Sequence, residues 1–205
     1  MTDNPVPLPA AVYRTIVADP PWRYQENPAQ PRGGRGPGSY AENHYPTMRT
    51  EELATIPVGD LAEPDSALYL WVTNPILLRQ RPTIAGSLGI LELVTGWGFE
   101  PKALLTWHKL GGLGLGWYFR GDTEHIIYAI RGNVRIPPEL RASNHFAARR
   151  GQHSAKPDRF YEIVERVSPG PYLEMFARRR RYGWDVWGDE APGQAASQAE
   201  MGLGA

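Results

Sequence analysis

The segment Tyr13-Arg14-Thr15-Ile16-Val17-Ala18-Asp19-Pro20-Pro21-Trp22 decides how this chain is read. Tyr13 to Ala18 is rich in β-branched and apolar residues, so it is predicted to be a short buried strand. Asp19-Pro20-Pro21 ends that strand, because proline has no N–H to give to a sheet ladder. A polar, rigid turn at the end of an apolar strand lies at the carboxyl edge of a sheet, where open α/β folds bind their ligands.

Working outward, Ala67 to Val72 is a near-continuous apolar run, as in a strand covered on both faces, and Thr73-Asn74-Pro75 stops it. Lys102 to His108, His125 to Arg131, Pro171 to Phe176 and Trp184 to Trp187 read as further strands. Gly111 to Gly116 is a flexible turn between two of them. Helices are predicted over Thr50 to Ile56, with Thr50 as N-cap, over Ile84 to Trp97, closed by Gly98, and over Pro157 to Val167. In the last of these, Phe160, Ile163, Val164 and Val167 share one side. Asn27 to Ser39 and Asn133 to Ser154 have loop composition. Strands alternating with helices predict an α/β sandwich around a mostly parallel sheet. One domain over residues 12–190 is expected, between a flexible N-terminus at 1–11 and a disordered Ala, Gly, Gln and Ser-rich tail at 191–205.

Composition removes several functional classes. With no cysteine, thiolate catalysis and Cys-ligated zinc are excluded. The five histidines lack metal-ligand spacing, no nucleophile elbow is visible, and no metal is expected. No apolar run reaches the roughly 18 residues of a membrane span, and Met1 to Ala10 lacks a secretory signal pattern, so no membrane association and a cytoplasmic location are expected. The formal net charge is +0, so any phosphate binding must come from local clusters.

The Asp19 turn suits one chemistry. The exocyclic amine of adenine is a weak nucleophile because its lone pair is delocalised into the ring. A carboxylate at Asp19 and the carbonyl of Pro20 can accept hydrogen bonds from both amine protons, which favours a pyramidal nitrogen. The paired prolines hold those acceptors rigidly, and Trp22 offers a flat face for a base.

Here the sequence resembles the MT-A-seventy methyltransferases. Val17-Ala18-Asp19-Pro20-Pro21-Trp22 is similar to their signature. Further matches follow in order at Leu70 to Pro75, Gly121 to Gly132 with Glu124-His125, His153 to Asp158, Ser168-Pro169-Gly170, Glu174 to Arg178, and Trp184 with Gly188. The resemblance implies a Rossmann-like α/β fold for an S-adenosylmethionine-dependent methyltransferase, in the permuted order that puts the catalytic turn before the cofactor strand. It implies methyl transfer to the 6-amino group of adenine in nucleic acid, without a covalent enzyme intermediate. DNA is the preferred target, RNA the alternative, and a catalytically silent subunit the reading from another class; a homodimer or a partner subunit also stays open.

By that resemblance Asp19, Pro20, Pro21 and Trp22 are catalytic. Lys156, just before a helix N-terminus, is assigned to the methionine carboxylate, Arg178 to the ribose, and Asp19 to the methionine ammonium as well. Glu174 is read either as a cofactor ligand or as half of a structural ion pair. Asp189 aligns with a ribose position, although Arg180, Arg181, Asp189 and Glu190 depart from the family pattern. On the target side, Arg179, Arg180 and Arg181, with Arg149-Arg150 and the Arg32 and Arg35 loop, are candidates for phosphates, and Tyr24 for an interleaved aromatic contact.

Overall fold

A computed structural model of the chain describes residues 7–23, 47–78, 88–114, 118–151 and 155–188. The expected N-terminal end, the Asn27 to Ser39 loop and the tail from 191 lie wholly or largely outside these residues. Seven strands form one sheet: β1 (Tyr13–Ala18), β2 (Ala62–Val72), β3 (Glu100–Leu110), β4 (Thr123–Arg131), β5 (His145–Arg149), β6 (Tyr172–Met175) and β7 (Trp184–Trp187), in spatial order β5-β3-β4-β2-β1-β6-β7. Every neighbouring pair is parallel except the two that involve β4, which runs against both β2 and β3. This is a Rossmann-like α/β sheet with one reversed strand.

The period-2 alternation of each strand divides the core in two. Ile16 and Ala18, Leu68, Leu70 and Val72, Ile127 and Ala129, and Leu173 and Met175 face α1 (Thr50–Ala54) and α3 (Ile90–Gly96), where Leu53, Ile90, Leu93, Val94 and Trp97 are buried. Val17, Tyr69, Trp71, Leu105, Trp107, Ile126 and Tyr128 face α4 (Asp158–Val167), which buries Phe160, Tyr161, Ile163 and Val164. A four-residue helix α2 (Asn74–Leu77) follows β2, with Pro75 in its first turn.

Four expectations are corrected. The N-cap of α1 is Arg49, not Thr50: Arg49 is extended, and its N–H donates to the Glu52 carboxylate at 2.6 Å, so Thr50 is already helical. β2 begins at Ala62, five residues earlier than its apolar run. α3 is Ile90–Gly96, with Gly89 extended as its N-cap, so it begins six residues after the expected start at Ile84. The region from Asn133 contains β5, a short edge strand on β3 in which only Phe146 is buried; one buried residue in five leaves little periodic signal.

β6 lies directly beside β1, with Met175 opposite Ala18, although four strands separate them in sequence. The Asp19 turn and the segment after β6 therefore share one end of the sheet.

Phe160 is the centre of the α4 layer. It meets Tyr69, Trp71, Phe146 and Tyr161 with ring centroids between 4.7 and 6.4 Å. Phe160→Ala should lower unfolding free energy by about 3–5 kcal/mol, as for other buried aromatic truncations. A denaturant titration would show the midpoint falling with little change in slope.

Candidate active site at the carboxyl end of the sheet

The turn after β1 is held from three directions. The Asp19 N–H donates to the Met175 carbonyl at 3.4 Å, the Trp22 N–H to the Pro20 carbonyl at 2.8 Å, and the Met48 N–H to the Pro21 carbonyl at 2.7 Å. The Trp22 ring N–H donates to the Trp71 carbonyl at 3.0 Å, and the residue is only 5 % exposed. This corrects the expectation of an open stacking face: the Trp22 ring packs into the α1–α3 core and anchors the turn to β2. The Pro20 carbonyl keeps a second lone pair, and Asp19 is left at the sheet end on the α4 side.

A chain of alternating charges crosses that end. The Asp19 Oδ1 lies 3.1 Å from the Lys156 Nζ, which lies 2.9 Å from the Glu124 Oε1. The other Glu124 oxygen is 2.9 Å from the Lys109 Nζ. Each ammonium also sits over an indole, Lys156 over Trp71 at 4.5 Å and Lys109 over Trp107 at 5.1 Å. Lys156 and Glu124 are buried, and Asp19 keeps 20 % of its side chain accessible.

The charge states follow from this unequal sharing. Burial pushes the Asp19 carboxyl up; Lys156 pulls it down, Glu124 pushes it up, and the Arg178 charge lowers it, with the balance above the usual carboxylate range. Burial would also raise Glu124, but its two cations, Lys156 and Lys109, hold it below that range. Burial would lower Lys156, yet Asp19 and Glu124 together hold it above the ordinary lysine value, so it is charged. Two of its three N–H bonds are given to those carboxylates.

Glu174, at the end of β6, lies on the same face. It accepts a hydrogen bond from the Tyr161 hydroxyl at 2.6 Å, and no ion pair to it is seen among the described residues. Its Oε2 is buried without a hydrogen-bond partner among the described residues. Burial raises the Glu174 carboxyl, the Tyr161 hydroxyl lowers it, and nearby Asp19 raises it further. An acceptor left open in this way suits a hydroxyl donor such as a ribose.

Two of the arginines expected at phosphates are engaged within the fold. Arg179 donates to Asp158 at 2.7 Å and to the Lys156 carbonyl at 3.2 Å. Arg181 makes a two-point contact with Glu165 at 2.7 and 3.0 Å, and both guanidiniums lie over the Tyr161 ring at 5.4 and 5.0 Å. These contacts fasten the segment after β6 to α4. Arg180 is exposed. Tyr24, Arg32, Arg35 and Asp189 lie outside the described residues.

Sequence reasoning missed Glu124 as a site residue, together with Lys109 and Tyr161. Glu124 near the start of an apolar strand was the available signal, since a carboxylate there must find a cation.

The raised Asp19 pKa has a thermodynamic consequence. The native chain holds this proton to higher pH than the unfolded chain does, so the Asp19 contribution to stability falls as pH rises from about 4 through the folded-state value. Asp19→Asn cannot ionise and escapes that loss. Its melting temperature should exceed the parent's at about pH 7, with the gap closing towards about pH 3. A variant that melts lower at neutral pH would mean that the ionised form is net stabilised.

The MT-A70 family model matches residues 13–190. The chain is 30% identical over 198 residues to "Type II methyltransferase M.MunI" of Mycoplasma sp, covering 90% of this chain and 80% of that one. It is 30% identical over 196 residues to "N6-methyladenosine RNA methyltransferase MTA1" of Cryphonectria parasitica, covering 88% of this chain and 52% of that one. A third relative, "N(6)-adenine-specific methyltransferase METTL4" of Mus musculus, is 28% identical over 195 residues, with 37% of its length covered. The chain thus spans most of the first relative and about half or less of the other two. A Rossmann-like sheet and a family match over nearly all of it place this chain in the MT-A70 family of adenine-N(6) methyltransferases.

Proposed function

We propose that this chain methylates the 6-amino group of adenine in DNA with S-adenosylmethionine as donor, at the Asp19 end of the sheet. The observation that carries this reading is Asp19 at the mouth of a buried charge chain, on a turn fixed by two prolines and the Trp22 anchor. The residues around it fit the donor. The remaining N–H of Lys156 suits the methionine carboxylate, Asp19 the methionine ammonium, and the open Glu174 Oε2 and the neighbouring Arg178 the ribose. S-adenosylmethionine, when bound, supplies an electrophilic methyl group on its sulfonium.

The protein's share is acceptor placement. Asp19 and the free lone pair of the Pro20 carbonyl accept the two amine protons and free the nitrogen lone pair for attack. The amine must shed one proton as its new N–C bond forms. An Asp19 held above the usual carboxylate range is a better acceptor for that proton than an ordinary aspartate. A target adenine in a duplex has to leave the stack to reach this position.

The preference for DNA rests on similarity along most of both chains to the Type II methyltransferase, whereas the relative named as an RNA methyltransferase is matched over half its length. Labelled methyl transfer to separate DNA and RNA pools, with nucleoside analysis, tests both points. Methyladenine should appear in DNA, and Asp19→Asn should cut the rate about 10²–10³-fold, the usual loss for one acceptor or donor aimed at the reacting centre. Label in RNA alone would reverse the substrate, and label in neither pool would overturn the reading.

A further inference from the structure

The turn joining β3 to β4 leaves two adjacent aromatics in solvent: Tyr118 is 95 % and Phe119 90 % exposed. Leu113 on the same hairpin is 53 % exposed. Single exposed apolar residues are common, but paired, almost fully exposed aromatics beside another apolar side chain mark a contact surface.

The hairpin is braced. The Lys109 N–H donates to the Asp122 carbonyl at 2.6 Å and the Gly114 N–H to the Gly121 carbonyl at 2.7 Å. Arg120 clamps it from within, donating to the Gly114 and Leu113 carbonyls at 3.1 and 3.2 Å. Arg150, just past β5, donates to the Gly112 carbonyl at 3.2 Å and ties the hairpin to the edge of the sheet. A guanidinium has five N–H donors, so Arg120 and Arg150 retain several for an outside acceptor. Arg149 is exposed beside them, opposite Leu110 in the β3–β5 register. Against these three arginines stands Asp122, which faces His108 at 3.5 Å. In a chain of zero net charge this is a local positive patch with an aromatic tip. It rises from the same sheet end as Lys109 and Glu124, the outer half of the charge chain leading to Asp19.

We propose that this hairpin is the surface that grips the nucleic acid strand: Tyr118 and Phe119 stack on bases next to the target adenine, and Arg120, Arg149 and Arg150 hold phosphates. The inference rests on the methyl-transfer reading above. Charge complementarity favours a polyanion over a second copy of the chain, because two such patches face to face would repel. Bases supply the flat partners that two exposed rings need, without regard to sequence.

The test uses the full chain and a fluorescent single-stranded oligodeoxynucleotide that contains adenine. Tyr118→Ala/Phe119→Ala should weaken binding about 10- to 100-fold and raise KM for the oligonucleotide, with the affinity for S-adenosylmethionine and the salt dependence unchanged. Arg149→Ala/Arg150→Ala should instead flatten the dependence of log K on log salt, by about 0.7 for each phosphate of a single strand that is no longer neutralised. Parental affinity and KM in both variants would overturn the proposal while leaving methyl transfer intact. A parent that sediments as a dimer, and a Tyr118→Ala/Phe119→Ala variant that sediments as a monomer with parental oligonucleotide affinity, would assign the hairpin to a second copy. A parent that neither binds nor methylates any nucleic acid would bring down the underlying reading, and this inference with it.

Discussion

The Lys156 ammonium is buried between two carboxylates, one on the turn after β1 and one in β4, and the geometry of this end of the molecule depends on that contact. Lys156 precedes α4, Asp19 follows β1, and Glu124 belongs to β4. One cation therefore fixes the end of a helix layer against two strands, across the Trp71 ring of the strand between them. A buried ion pair is weak evidence for net stability, because desolvation opposes the Coulomb attraction. Its strength is in selection: losing Lys156 or Glu124 leaves a buried charge without its partner, so alternative arrangements of these strand ends are disfavoured. The raised Asp19 carboxyl is the residual cost of that arrangement, held where the proposed chemistry uses it.

Topology makes the contact available. Glu124 is the second residue of β4. Because β4 runs against β2 and β3, its beginning lies at the end of the sheet where β1, β2 and β3 finish. A parallel β4 would put Glu124 at the opposite edge, and Lys156 and Lys109 would face each other without an anion between them. The connection between β3 and β4 makes this reversal, with Gly111 and Gly112 taking positive φ where the chain leaves β3. The return through α4 then brings β6 beside β1 and sets Glu174 on the Asp19 face.

Much of this was legible in the residues. β1, β7, the α4 helix and the Asp19 turn stand where the apolar runs and the prolines put them, since these features are local. What escaped depended on partners distant in sequence. Trp22 after a proline turn suits an open platform as well as an anchor; the carbonyl that decides between them belongs to Trp71, 49 positions away. The run from Arg178 to Arg181 reads as a phosphate grip in isolation, and its pairing to Asp158 and Glu165 on α4 is not visible in the run itself. β5 was missed because an edge strand with one buried side chain has no alternation to detect. Glu124 was visible as part of a motif but not as a site residue, because its two cations lie 15 and 32 positions away.

Glu174 and Arg179 to Arg181 together explain why the segment after β6 is so firmly held. Tyr161 is the shared element: its hydroxyl satisfies one Glu174 oxygen, and its ring lies beneath the Arg179 and Arg181 guanidiniums. Those arginines are in turn fastened to acidic residues of α4. The outcome is a Glu174 carboxylate with one oxygen held by Tyr161 and the other without a hydrogen-bond partner among the described residues. A buried acceptor left unpaired costs on the order of 1–3 kcal/mol, and a fold that fixes one in place beside Asp19 gains from it only when a donor arrives from outside. Hydroxyl groups on a bound nucleoside meet that requirement, which ties the rigidity of the Tyr161 layer to the proposed cofactor position and not to stability alone.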